Sequence, residues 1–150
     1  MQGSRVGAGE ALPGPNPWSP VLDVGARATP PKHILIVDDE PGVRQLLGDL
    51  FAAEGYVVSE ASDGAGALRS LGVACPDVII VDLMMPVMNG WTFAAECRRI
   101  EAYRGVPIIA ISAMFDVQHA ATALHALGVS ACLSKPFDIE VLLSLVAAHL

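Results

Sequence analysis

The chain has 150 residues, 53% of them hydrophobic and 17% charged, with a formal net charge of −7. A chain of that length and hydrophobicity is not wholly disordered, and it has neither the ~18-residue apolar run of a membrane span nor a signal-peptide core. Nine Lys and Arg against sixteen Asp and Glu offer no basic face for nucleic-acid phosphates.

Residues 1–31 hold six of the eleven prolines and five glycines, with no apolar periodicity. Proline fixes φ and removes a donor, so this stretch reads as a disordered extension. Pro17-Trp18-Ser19-Pro20 is its one spot resembling a docking ligand. Arg5 and Arg27 offset Glu10 and Asp23, so the whole −7 belongs to the domain read over residues 32–150.

His33-Ile34-Leu35-Ile36-Val37 is an apolar, partly β-branched run and predicts a buried parallel strand. Pro41 suits a first helical turn, and Val43, Leu46, Leu47, Leu50 and Phe51 follow at helical spacing. Gly55 closes that helix. Tyr56 to Ala61 predicts a second strand, and Asp63 caps a helix to Leu71. Asp77 to Asp82 is the third strand, and Asn89 caps a helix from Gly90 to about Glu101. Pro107 to Ser112 is the fourth strand, and Asp116 opens a helix ending at Gly128. Ala131 to Ser134 is the fifth strand, and Asp138 opens a last helix to the C-terminus.

Five strands alternating with helices predict an α/β, doubly wound parallel sheet with helices on both faces, a three-layer sandwich. We adopt the strand order 2-1-3-4-5. Ligands of such sheets bind beyond the carboxyl ends of the strands. Strand 1 ends in Asp38-Asp39-Glu40, strand 3 in Asp82, strand 4 in Ser112-Ala113 and strand 5 in Ser134-Lys135-Pro136. Carboxylates, one hydroxyl and one ammonium therefore converge on one rim.

Two carboxylates about 4 Å apart repel by roughly 4 kcal/mol at an effective dielectric near 20. One lysine does not balance three of them. Oxygen-only donors of this kind suit a hard divalent cation, above all Mg²⁺. With a metal to bridge it, a phosphate can approach, and Lys135 and Ser112 can hold its remaining oxygens. Asp82, ending the central strand, can then be the nucleophile of an aspartyl phosphate. Singly, each residue has a plainer use: Asp38 and Asp39 as helix caps, Asp82 in a turn, Lys135 as a solvated loop lysine. Their joint occurrence at four strand ends favours chemistry.

These residues resemble the receiver domain of two-component response regulators, the CheY-like (flavodoxin-like) fold. The matching segments are Ile34 to Glu40, Asp82-Leu83-Met84-Met85-Pro86-Val87-Met88-Asn89-Gly90, Ser112-Ala113 and Lys135-Pro136-Phe137. The same strand order belongs to that family, so order and resemblance stand together. The resemblance implies that Asp82 accepts a phosphoryl group from a histidine kinase or a phosphotransfer protein. It implies Mg²⁺ held by Asp39, Asp82 and the backbone carbonyl of Met84, with Asp38 assisting through water. Ser112 would bind a phosphate oxygen and Lys135 would pair with the phosphate. The family's usual Tyr or Phe three residues before the lysine is here Cys132, which departs from its aromatic readout.

The family's output face is the fourth helix, the fifth strand and the fifth helix. Past Arg104 the one Lys or Arg is Lys135, and the last helix, Val141 to Ala148, is apolar nearly all round. That predicts apolar docking of a downstream protein or a second copy of the chain. The chain ends with this helix, which predicts a stand-alone receiver acting through a separate partner. Two alternatives differ in class. A phosphatase forming an aspartyl phosphate wants an acid two residues past the nucleophile, where Met84 stands. A docking module independent of phosphorylation is the other. Cys75, Cys97 and Cys132 are odd in number and far apart, and fit reduced, core-filling thiols of a cytoplasmic protein. Trp91 reads as a packing residue. His33, His119, His125 and His149 show no metal spacing.

Overall fold

Strands without a polar face must be covered on both sides. The computed structural model describes residues 29–113 and 117–150, without the side chains of 117–119. The predicted extension therefore falls almost wholly outside the described residues, as do its Pro17-Trp18-Ser19-Pro20 spot, the capping Asp116 and the His119 side chain.

The strands are β1 His33–Val37, β2 Val57–Ala61, β3 Val78–Asp82, β4 Ile108–Ser112 and β5 Val129–Ser134. The helices are α1 Pro41–Ala53, α2 Gly64–Leu71, α3 Gly90–Arg99, α4 Val117–Ala126 and α5 Ile139–Ala148. All strand pairs are parallel, in the order β2-β1-β3-β4-β5. This is the expected 2-1-3-4-5 sheet.

The period of two sorts each strand's side chains between the faces. Leu35, Val37, Ile79, Val81, Ile108 and Ala110 meet Ala67 and Leu71 of α2, Phe93, Ala94 and Cys97 of α3, and Leu124 of α4. Ile34, Ile36, Val78, Ile80, Ile109 and Ile111 meet Leu47 and Phe51 of α1 and Leu142 and Val146 of α5. Trp91 packs against the first cluster, as a core residue should.

The caps act as their residue types require. Asp63 accepts from the Gly66 amide at 2.7 Å, Asn89 from Thr92 at 2.9 Å and Asp138 from Glu140 at 2.8 Å. Gly55 ends α1 at φ +95°, in the left-handed region where a Cβ is penalised. Helix α3 stops at Arg99, short of the expected Glu101, because Ile100 is extended and Glu101–Tyr103 form a separate 3₁₀ turn. Strand β5 begins two residues earlier than predicted, at Val129. Its register with β4 shifts between Ile108 and Ile109, where Ser130 is the extra residue.

Helix α5 shows less apolar surface than its sequence promised. Leu142 and Val146 are buried, while Leu143, Leu145 and Leu150 pack against the second cluster. Ile139 and Val141 are its exposed large apolar side chains. Cys75 is exposed, unlike the core thiol expected, whereas Cys97 is buried. Among the described residues, no helix is long and apolar enough to cross a membrane.

Candidate functional site

Parallel strands place their carboxyl ends on one edge, and α/β crossovers bring the following loops there. Strand β1 delivers Asp38, β3 delivers Asp82, β4 delivers Ser112 and the loop after β5 delivers Lys135. Asp38 is 2%, Asp82 5% and Ser112 0% exposed, so they lie within the rim of the core rather than on open surface.

Both oxygens of Asp82 are engaged: Oδ1 accepts from the Met84 amide at 2.9 Å, and Oδ2 from Lys135 Nζ at 3.0 Å. Lys135 Nζ also reaches Asp38 Oδ2 at 3.1 Å and Glu40 Oε1 at 3.0 Å. The Lys135 amide donates to the Ser112 carbonyl at 2.8 Å, tying the lysine's backbone to the hydroxyl-bearing residue. Asp38 Oδ1 accepts from the Glu40 amide at 2.9 Å, so it orders its own loop and leaves the N-cap position to Glu40.

The electrostatics follow from this packing. Burial raises the Asp38 carboxyl above its ordinary value, and the Asp82 charge adds to that. The Glu40 amide and Lys135 pull it back only in part. Burial alone would lower the Lys135 amine, but hydrogen bonds to Glu40, Asp82 and Asp38 outweigh it and hold the amine above the usual lysine range. Lys135 is therefore an ammonium.

Asp38, Glu40 and Asp82 each offer an oxygen within 4.8 Å of the others, and among the described residues they are the one such group. Their oxygen donors fit a hard divalent cation, whose charge would relieve the crowding. Asp39 is half-buried on the same loop and lies outside that group. Met84 is 58% exposed, with its backbone beside Asp82.

Two supporting residues lie outside the sequence expectation. Glu40 is one acid of a run in the sequence, yet it contacts a lysine 95 positions away. Arg44 on α1 donates from Nη1 to the Asp38 carbonyl at 2.6 Å and lies 3.6 Å from Glu60. It thereby pins the backbone that carries Asp38 to β2. An Arg one helical turn past a strand-end acid is the signal that could have found it.

Cys132, at the departure from the family's aromatic, is half-buried. It lines a hollow of about 250 Å³ between α4 and β5 with Ala121, Leu124, His125 and Ala131. Burial raises its thiol above the ordinary value.

The model of the response regulator receiver domain matches residues 34–147. The transcriptional regulatory protein GlrR of Escherichia coli (strain K12) is 38% identical over 112 residues, which are 75% of this chain and 24% of that protein. The chemotaxis protein CheY4 of Vibrio cholerae superposes with a TM-score of 0.75 at 33% identity, covering 80% of this chain and 99% of that one. The response regulator TrrA of Thermotoga maritima, crystallised in complex with Mg(2+)-BeF, gives 0.69 at 31% identity over 79% of this chain and 99% of that one. The chain spans between 24% and 50% of the length of the first curated relatives it matches.

Proposed function

As the chain belongs to the response regulator receiver domain family, we propose that Asp82 takes a phosphoryl group from the phosphohistidine of a histidine kinase or phosphotransfer protein. The observation that carries this reading is Asp82 itself. It is 5% exposed at the end of the central strand, with Met84 on one oxygen and the Lys135 ammonium on the other.

In the transfer, an Asp82 carboxylate oxygen attacks phosphorus and forms the new P–O bond. The P–N bond to the donor's imidazole breaks, and its electron pair leaves with the ring. The product is an aspartyl phosphate, and charge builds on the phosphoryl oxygens. Lys135, already 3.0 Å from Asp82 Oδ2, pairs with one of them. The Ser112 hydroxyl donates to another, from the end of the adjacent strand. Asp39, Asp82 and the Met84 carbonyl, with Asp38 through water, would hold Mg²⁺, which would supply neutralisation of the phosphoryl charge. The close approach of Asp38, Glu40 and Asp82 supports a cation at this rim.

The chemistry is self-directed, so the domain acts as a switch rather than as a turnover enzyme. We assign readout to a protein partner on the α4–β5–α5 face. The exposed Ile139 and Val141 and the hollow beside Cys132 support it. The acidic excess of residues 32–150 disfavours nucleic acid as a direct ligand of this domain.

The test is phosphoryl incorporation from a phosphorylated kinase or a small phosphodonor, read by intact mass and hydroxylamine sensitivity. The parent chain gains one phosphoryl group, and Asp82→Asn gains none. Equal incorporation in the variant would overturn the assignment.

A further inference from the structure

An ammonium has three N–H donors. Those of Lys135 are matched by three carboxylates: Asp38 at 3.1 Å, Asp82 at 3.0 Å and Glu40 at 3.0 Å. Resting Lys135 is therefore saturated. Two of its partners are nearly enclosed, with side chains 3% and 5% exposed, while that of Glu40 is 60% exposed.

We propose that Glu40 is a positioning residue that holds the Lys135 ammonium in the unphosphorylated domain and opposes its transfer to a phosphoryl group on Asp82. The inference rests on the phosphoacceptor reading of Asp82.

Glu40 occupies the N-cap position of α1, yet its side chain makes no capping bond. A carboxylate there would ordinarily turn to the exposed amides and positive end of its own helix. It reaches instead across 95 positions of sequence to the lysine. Asp38 cannot release Lys135 as easily, because its other oxygen is fixed by the Glu40 amide at 2.9 Å. Asp82 changes identity on phosphorylation, and the lysine can follow the new oxygens. Glu40 is thus the partner that must let go. Its exposure keeps the effect small, because a solvated ion pair is weak.

The experiment is beryllofluoride binding by the full chain in Mg²⁺, followed by ¹⁹F NMR. It compares the parent with Glu40→Gln and with Glu54→Gln, which removes the same charge just past the far end of α1. A second readout is the ¹⁵N shift and proton exchange of the Lys135 ammonium by NMR at one fixed pH, with no beryllofluoride present. Glu40→Gln should bind beryllofluoride about threefold more tightly than the parent, and its Lys135 ammonium should exchange faster with water. Glu54→Gln should match the parent in both. Unchanged or weaker binding by Glu40→Gln overturns the proposal, as does an unchanged Lys135 ammonium signal or an equal gain in Glu54→Gln. A parent that binds no beryllofluoride with Mg²⁺ overturns the phosphoacceptor reading instead, and the ammonium signal still judges the Glu40–Lys135 contact.

Discussion

Gly90 lies so close to Asp82 that a Cβ at position 90 would stand 2.6 Å from the Asp82 carbonyl oxygen and 2.8 Å from the Leu83 Cα. Both obstacles are backbone, which cannot rotate away. The Gly90 amide also donates to the Leu83 carbonyl at 3.1 Å, so α3 starts against the strand that ends in Asp82. Gly90→Ala must displace one of them. The expected cost is about 1–3 kcal/mol of stability, read by denaturant unfolding. Phosphoryl uptake at Asp82 should fall more than the loss of folded protein explains.

The buried Asp38 carboxyl makes a pH-dependent contribution. Its value in the folded state is raised, chiefly by burial. The folded state therefore holds this proton more tightly than the unfolded state. The group's contribution is fully present below the unfolded aspartate value and is lost as pH rises through the folded value. At neutral pH the ionised Asp38 is a net cost. Asp38→Asn should stabilise the domain at neutral pH, and the gain should shrink as pH falls toward the ordinary aspartate value of about 4. Denaturation midpoints at both pH values check it; a gain that grows on acidification would contradict the raised value.

Metal affinity separates the neighbouring acids. Asp39 is the direct ligand in the proposed Mg²⁺ set, although it lies outside the Asp38, Glu40 and Asp82 group. Asp39→Asn should weaken Mg²⁺ binding at least tenfold, the loss known even for outer-shell partners. Asp38→Asn should weaken it less. In the parent, Mg²⁺ at ten times its Kd should add about 1.4 kcal/mol of stability, and a chelator should remove it. Calorimetric titration and thermal melting supply both readings.

Arg98 is a structural hub far along the chain from these acids. Its guanidinium donates to the carbonyls of Leu127, Tyr103, Arg104, Val106 and Gly128 at 2.7–3.0 Å. It joins the end of α3 to the 3₁₀ turn, the approach to β4 and the turn between α4 and β5. Arg98→Met should cost roughly 2–3 kcal/mol, since several carbonyls lose a charged donor. Arg98→Lys should recover little of it, because an ammonium lacks the planar fork. Gly128→Ala should also destabilise: Gly128 sits at φ +76°, and a Cβ would meet Arg98 Nε at 2.6 Å. Urea midpoints of the three variants test the set.

Local periodicity made much of this domain legible. Runs such as Ile34 to Val37 and Val78 to Val81 read as strands because no polar residue interrupts them. Asp63, Asn89 and Asp138 marked helix starts because their short acceptors bond amides two or three residues on. Once the strands were ordered, Asp38, Asp82, Ser112 and Lys135 had to share an edge, since parallel strands point their ends the same way.

Only the tertiary structure decided which groups touch. Lys135 meets Glu40, Asp38 and Asp82 across 95, 97 and 53 positions, distances no local pattern encodes. It leaves Asp39, adjacent to two of those partners, outside the group. Arg98 finds carbonyls 29 and 30 positions away because α3 and the α4–β5 turn pack side by side. The leucines of α5 read as surplus apolar surface, yet Leu142, Leu143 and Leu145 are taken up by the sheet face they cover. Period and capping are properties of neighbours along the chain, whereas partner choice depends on how whole elements stack, and that is settled only when the core closes.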